Sequence, residues 1–302
     1  LSISSFRGNN EVIKFQSALA LQCFNNEYIY IQSEEENKAL ENLEMVVRLA
    51  LNNNEQLSPQ YILCLACYKS LNNYAWSSNL IITTEIQEVF NRQVVEPTEE
   101  TKLRSTIPIL KEIKNVVSSQ VKEQYEAKPY PRWINLGLPF KPETIFKVIN
   151  DMNLKIFDDR IKEVYTPSIL IAGCGTGQHS IETTSRFKDS KVLGIDLSMS
   201  SLSYAKRKSI ELNIQNIDYM QADILDLGKL DKQFDIIECV GVLHHMSEPV
   251  EGWKALRNCL KPGGLMKIGL YSELARQDIV KIRNEISNKS FGSSDFELKS
   301  FR

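Results

Sequence analysis

The stretch from Ser168 to Ser180, SILIAGCGTGQHS, constrains the fold more than any other part of the chain. Ser168–Ala172 is an apolar run with no polar alternation, the pattern of a strand buried on both faces of a parallel sheet. Glycine then follows at every second position: Gly173, Gly175 and Gly177. Backbone without Cβ atoms can turn left-handed and let a ligand approach closely. The same texture recurs downstream in KVLGID, IDYMQA, FDIIECVG and LMKIGLYS, separated by helical stretches such as SMSSLSYAKRKSIELN and EPVEGWKALRNCL. Strands alternating with helices predict a Rossmann-like, doubly wound parallel sheet. Such sheets bind ligands at the carboxyl ends of their strands, where strand order reverses.

Three ligand classes compete for the glycine loop. A P-loop needs a Lys followed by Ser or Thr after its last glycine, and both are missing. A dinucleotide loop, G-x-G-x-x-G, would want glycine where Gln178 stands; the glycine falls at Gly177 instead. The other strand ends add to the pattern. Asp196 closes the second strand, where a carboxylate can grip a ribose diol. Asp223 follows the third, where a short polar side chain can meet an adenine edge. The fourth ends in the pair His244 and His245.

In AGCGTGQ, GIDLS, QADILDL, FDIIECVGVLHHM and LKPGGLMKIG, taken in order, the chain resembles the class I S-adenosylmethionine-dependent methyltransferases over residues 168–271. The resemblance implies S-adenosyl-L-methionine as cofactor. It implies a methionine moiety over Gly173, Cys174, Gly175 and Gly177, ribose on Asp196 beside Leu197, and adenine near Asp223 and Ile224. The position two before Gly173 is usually acidic in that family and helps hold the cofactor ammonium; here it is Ile171. A narrower resemblance, carried by ALALQCFNNEYIY, RSTIPILKEI, QYEAKPYPRW and YSELARQDIV, is to bacterial methyltransferases found behind tetratricopeptide arrays. Those proteins continue further, so the last strands of a seven-stranded sheet are expected to be missing.

The first part of the chain reads differently. EVIKFQSALALQCF, ENKALENLEMVVRLAL, PQYILCLACYKSL and LIITTEIQEVFNRQVV have helical spacing, and ILKEIKNVVSSQVKEQYEA is a further amphipathic candidate. Pro129, Pro131, Pro139 and Pro142 then interrupt any helix. The expected organisation is a helical domain over 1–127, a proline-rich junction and lid over 128–145, and a cofactor-binding methyltransferase domain over 146–302. No 34-residue period marks internal repeats. The helical part is the expected surface for self-association or partners.

Composition narrows the partners. A formal net charge of −2 gives no global field for nucleic acid or an acidic membrane surface. The basic run Lys206, Arg207, Lys208 reads as a solvated helix face. No transmembrane run is present, and a cytoplasmic location with reduced thiols is the expectation for the six cysteines. Cys64 and Cys67 form a CxxC without the second pair a zinc site needs, so no metal is expected.

Methyl transfer requires alignment of acceptor and donor, with a base only where the acceptor is protonated. His245 is the favoured base, with His244 beside it. In extended chain the two would point opposite ways. Tyr125 and Tyr130, in the kinked QYEAKPYPRW, are candidates to cover the methyl group. The fourth strand lacks the N/D-P-P-Y/F run of DNA amino-methyltransferases, so DNA is not expected. A protein or peptide side chain is the preferred acceptor. The alternatives are a small molecule or glycan, or a cofactor-binding interaction module without turnover.

Overall fold

The computed structural model describes residues 10–55, 57–127, 129–138, 141–288, 292 and 297. Lys128, Pro139 and Phe140 of the proline-rich stretch lie outside the described residues. Two compact units result: residues 1–99 with 277–302, and residues 100–276.

The first unit is helical: α1 (Asn10–Asn25), α2 (Glu34–Asn52), α3 (Pro59–Ala66) and the short α4 (Gln87–Phe90), with a further helix at Gln277–Asn288. Ser33 starts α2 with a capping box: its hydroxyl accepts from the Glu36 N–H at 3.1 Å and the Glu36 carboxylate accepts from the Ser33 N–H at 2.8 Å. Apolar faces meet in a core of Ala20, Leu43, Val47, Ile62, Leu63, Leu65, Leu71 and Val89. Gln93 is fully buried there. Its amide accepts from the Leu71 N–H at 3.0 Å and donates to the carbonyls of Ala20 and Ala66 at 3.3 and 3.1 Å. The helix expected over 80–95 begins only at Gln87, because the β-branched run Ile81–Thr84 resists helix. It then passes through a π turn at Asn91–Val95 into α5 (Glu96–Arg104). All six cysteines are free thiols. Burial, with Cys23 and Cys64 nearby, pushes the Cys67 thiol up to about 12.

The second unit contains α6 (Val116–Ala127), α7 (Ile145–Asp151), β1 (Ser168–Ala172), α8 (Gln178–Arg186), β2 (Lys191–Asp196), α9 (Met199–Glu211), β3 (Ile217–Gln221), β4 (Phe234–Val240), α10 (Pro249–Asn258) and β5 (Leu260–Gly269). All five strands are parallel, in the order β3-β2-β1-β4-β5. Strand order therefore reverses between β1 and β4, the expected place for a ligand. Ile169, Ile171, Val192 and Ile236 pack one face of the sheet against Ile145 and Ile149 of α7 and Leu202 and Ala205 of α9. Leu170, Leu193, Ile195 and Ile237 pack the other against Leu256 of α10. Both faces are covered, which is why the strands read as continuous apolar runs.

Three local expectations need correction. The helix expected over 109–127 forms only from Val116. Before it, the chain is extended along the sheet edge: the Leu110 N–H donates to the Gln221 carbonyl and the Gln221 N–H to the Pro108 carbonyl, both at 2.9 Å. Pro-Gly-Gly does not precede β5 but lies inside it, absorbed by a register shift between Phe234 and Ile236, with Gly263 at φ +80°. Finally, the basic run on α9 is not a solvated face. Arg207 and Lys208 are 5% and 1% exposed. Arg207 pairs with Glu100 at 2.9 Å and Glu211 at 3.1 Å. Lys208 donates to the Ile134 carbonyl at 3.2 Å, pairs with Glu211 at 2.7 Å and lies over the Trp133 ring. These cations clamp the segment before β1 onto the sheet's helical layer.

Residues 100–127, read from the sequence with the helical part, fall in the sheet-bearing unit. The Glu126 carboxylate accepts from the Ser198 hydroxyl at 3.1 Å and the Ser200 N–H at 3.0 Å, and pairs with Arg104 at 3.0 Å. That network fixes the end of α6 to the start of α9.

Candidate functional site

A cavity of about 750 Å³ opens at the carboxyl ends of β1, β2, β3 and β4. Its floor is the glycine loop, Gly173–Thr176. The three glycines serve different purposes. At Gly173 (φ +75°) a Cβ would run into the Val242 side chain; at Gly175 (φ +52°) it would meet only the Tyr130 carbonyl, at 3.7 Å, and otherwise project into open cavity. Gly177 (φ +86°) does not line the cavity. A Cβ there would lie 2.6 Å from that of Ala205, so this glycine permits α8 and α9 to pack.

Asp196 and Leu197 line the cavity at the end of β2. The Asp196 carboxylate accepts from the Gly175 N–H at 2.8 Å and the Ser198 N–H at 2.9 Å, so loop and strand end are tied through one side chain. Burial raises the Asp196 carboxyl above its ordinary value, and the N–H groups of Ser198, Gly175 and Leu197 oppose that shift. Asp223 and Ile224 line the next position, after β3; the Asp223 carboxylate accepts from the Leu225 N–H at 3.0 Å and so begins a short 3₁₀ turn. Cys174 also lines the cavity, its thiol raised well above the usual range by burial.

The proline-rich segment and α6 form the opposite wall. Tyr125 and Tyr130 both line the cavity with Val117 and Val121 of α6. Two bonds hold the segment against the loop: the Trp133 indole donates to the Thr176 carbonyl at 3.0 Å, and the Thr176 hydroxyl to the Pro131 carbonyl at 2.7 Å. Burial raises the Tyr125 phenol, with Tyr271, Asp196 and Tyr130 adding to it.

His245 lines the cavity after β4, whereas His244 does not. The pair sits in a 3₁₀ turn, Leu243–His245, rather than extended chain, so the rings do not point opposite ways. Their Nε2 atoms lie 3.2 Å apart, and the His244 ring is 3.7 Å from that of Tyr271. Burial lowers the proton affinity of His244, and His245 and Arg276 lower it further. His244 thus packs on Tyr271 and lies within hydrogen-bond distance of His245.

Sequence reasoning missed several residues at the site. Lys267 and Tyr271 reach it from β5 and the loop beyond, and His179 and Glu182 from α8. Beneath them Glu238 is buried on β4, its carboxylate 2.5 Å from His179 Nε2 and 3.0 Å from the Thr183 hydroxyl. Burial alone would raise this carboxyl, but the bond with His179, together with Lys267 and Thr183, pulls it below its ordinary value. An acidic residue within the apolar run FDIIECV was the available signal.

Residues 169–264 match a family model described as a methyltransferase domain. An uncharacterized protein of Synechococcus sp. is 33% identical over 129 residues, which is 42% of this chain and 31% of that protein. A ubiquinone biosynthesis O-methyltransferase of Acinetobacter baumannii is 29% identical over 134 residues, 44% of this chain and 54% of that protein. The chain thus spans about a third and about half of these relatives. Among solved structures, magnesium protoporphyrin IX methyltransferase from Synechocystis PCC 6803 with bound S-adenosylhomocysteine aligns at a TM-score of 0.39 and 18% identity, over 56% of this chain and 78% of that one. With the parallel sheet, the glycine loop and the carboxylates at successive strand ends, the family match and the sequence relatives identify residues 169–264 as a class I, S-adenosylmethionine-dependent methyltransferase domain.

Proposed function

We propose that the cavity holds S-adenosylmethionine and that the chain methylates a hydroxyl group of a small, largely apolar molecule. The observation that carries this reading is Gly175, whose missing Cβ leaves the cavity floor open. Bound there, the cofactor supplies an activated methyl carbon. Asp196 accepts the ribose hydroxyls; the Gly175 and Ser198 N–H groups fix the carboxylate while leaving further lone pairs for a ligand. Asp223 and Ile224 flank the adenine, one polar and one apolar. Among the described residues no side chain caps α8, so its first-turn N–H groups are available to the methionine carboxylate. Tyr125 walls the site against water, and the Tyr130 backbone carbonyl stands over Gly175.

His245 is the proposed base toward the acceptor hydroxyl, its ring held by His244, which is itself stacked on Tyr271. The preferred acceptor changes from that expected of the sequence. A cavity of about 750 Å³ lies within the roughly 300–1,000 Å³ of small-molecule sites. Its lining includes Val117, Val121, Val240, Val242 and Met246, and the Acinetobacter relative is by name an O-methyltransferase. These features support a compact apolar acceptor over a protein side chain. The test is transfer of labelled methyl from the cofactor in a cell extract fractionated by size. Label in low-mass, base-stable products supports the reading; label only in protein supports the other acceptor, and binding without transfer overturns catalysis.

A further inference from the structure

Several buried charges outside the cavity are held by structural partners. Arg207 and Lys208 clamp the segment before β1, and Asp235 accepts from the Ser168 N–H at 2.9 Å while pairing with Lys261 at 2.9 Å. Glu238 is different, because its main partner faces the cavity. Its side chain is 4% exposed and lies on β4 in register with Ile171 of β1 and Lys267 of β5. Ile171 supplies no charge to that row. Glu238 Oε2 accepts from His179 Nε2 at 2.5 Å and from Thr183 at 3.0 Å, while Arg186 and Lys267 lie 3.7 and 3.8 Å from its two oxygens.

The bond to Glu238 sets the His179 tautomer. In the neutral imidazole, a carboxylate that accepts from Nε2 places the proton there and leaves Nδ1 as an acceptor. Among the described residues, Nδ1 has no hydrogen-bond partner. One turn along α8, the Glu182 carboxylate also lines the cavity. It accepts from the Gln178 amide at 3.2 Å, and no Lys or Arg among the described residues lies within ion-pair distance of it. The start of α8 therefore presents two acceptors and no competing cation of their own.

Topology says which part of a ligand reaches them. With strand order β3-β2-β1-β4-β5, a nucleoside whose base lies at Asp223 after β3 and whose sugar lies at Asp196 after β2 must extend its tail across β1 toward β4. His179 and Glu182 stand on that side. Resting on the proposed cofactor pose, we infer that His179, held by Glu238, and Glu182 recognise the ammonium group of the cofactor's amino-acid tail. His179 and Glu182 are binding residues in this assignment, and Glu238 is a positioning residue that acts through the imidazole. The row occupied by Ile171 would thus receive its negative charge from the neighbouring strand.

Calorimetry with two ligands separates recognition from structural support. S-adenosylhomocysteine carries the amino-acid tail; 5′-methylthioadenosine has the same base, sugar and thioether without it. A hydrogen bond to a charged group corresponds to about ten- to a hundredfold in affinity. His179→Ala and Glu182→Gln are each expected to weaken S-adenosylhomocysteine by that factor while changing 5′-methylthioadenosine by less than about twofold. Glu238→Gln should act in the same direction. Because Glu238 is buried, its melting temperature is measured alongside, and the two partly exposed positions carry the test if Glu238→Gln does not fold. Equal losses for both ligands, or no loss for either, overturn the assignment. If the wild type binds neither ligand, the cofactor pose itself is wrong, a result distinct from wild-type binding that survives the substitutions.

Discussion

Gly175 and Gly177 both have positive φ and opposite expected consequences when changed to alanine. For that φ an added Cβ costs about 1–2 kcal/mol at either site. At Gly175 the new methyl meets only the Tyr130 carbonyl at 3.7 Å, an ordinary contact, so that cost is the whole penalty to folding. At Gly177 it would lie 2.6 Å from Ala205 Cβ, 3.0 Å from Ala205 Cα and 3.1 Å from the Tyr219 hydroxyl. Two of those atoms cannot rotate away. Overpacking of that kind adds about 1–3 kcal/mol, for about 2–5 kcal/mol in total. That is a large part of the about 5–15 kcal/mol that holds a typical protein folded. Binding should follow the reverse order. The Gly175→Ala methyl fills the cavity floor and should weaken S-adenosylhomocysteine by about ten- to a hundredfold, with Gly175→Val worse. Gly177→Ala should bind near normally wherever it remains folded. Urea unfolding followed by hydrogen exchange of β1 and α8, with calorimetry on the same samples, reads both quantities. Gly175→Ala binding at wild-type affinity, or Gly177→Ala no less stable than Gly175→Ala, would refute the reasoning.

Asp196→Asn should lower S-adenosylhomocysteine affinity by about ten- to a hundredfold in calorimetry, since a charge-assisted bond to the ribose is replaced by a neutral one. His245→Ala should leave that affinity unchanged and slow methyl transfer by about 10²–10⁴-fold in single-turnover assays. For Glu126, burial raises the carboxyl but the Ser200 and Ser198 bonds and Arg104 outweigh it, leaving it below its ordinary value. A depressed carboxyl stabilises the fold fully above its unfolded value of about 4.3 and loses that contribution as pH falls through the lower folded value. Acid titration of stability should show this loss in wild type and not in Glu126→Gln. Lys208→Met should cost about 1–3 kcal/mol in urea unfolding, because the Ile134 carbonyl loses its donor, Glu211 its partner and the Trp133 ring the cation above it.

The five parallel strands and the glycine loop were legible because their signals are local. A strand buried on both faces must be apolar throughout, and a strand end that turns beneath a ligand must shed its Cβ atoms. The carboxylates Asp196 and Asp223 could be placed for the same reason: each ends an apolar run, and the ends of parallel strands share one edge. What tertiary structure alone decided is the meaning of charges that look alike in one dimension. Arg207 and Lys208 have the spacing of a solvated face, yet they pair with Glu100, Glu211 and the Ile134 carbonyl in the interior. Ile109 has helical neighbours, yet the unpaired edge of β3 offers its segment hydrogen bonds that a lone helical turn could not match. Glu238 and His179 are 59 residues apart and meet only because β1 and β4 pair while α8 crosses above them. Amino-acid pattern dictates which backbone can be buried; the partner of a buried charge is set by which distant segments the sheet brings together, and that partner decides whether the charge serves the fold or faces the ligand.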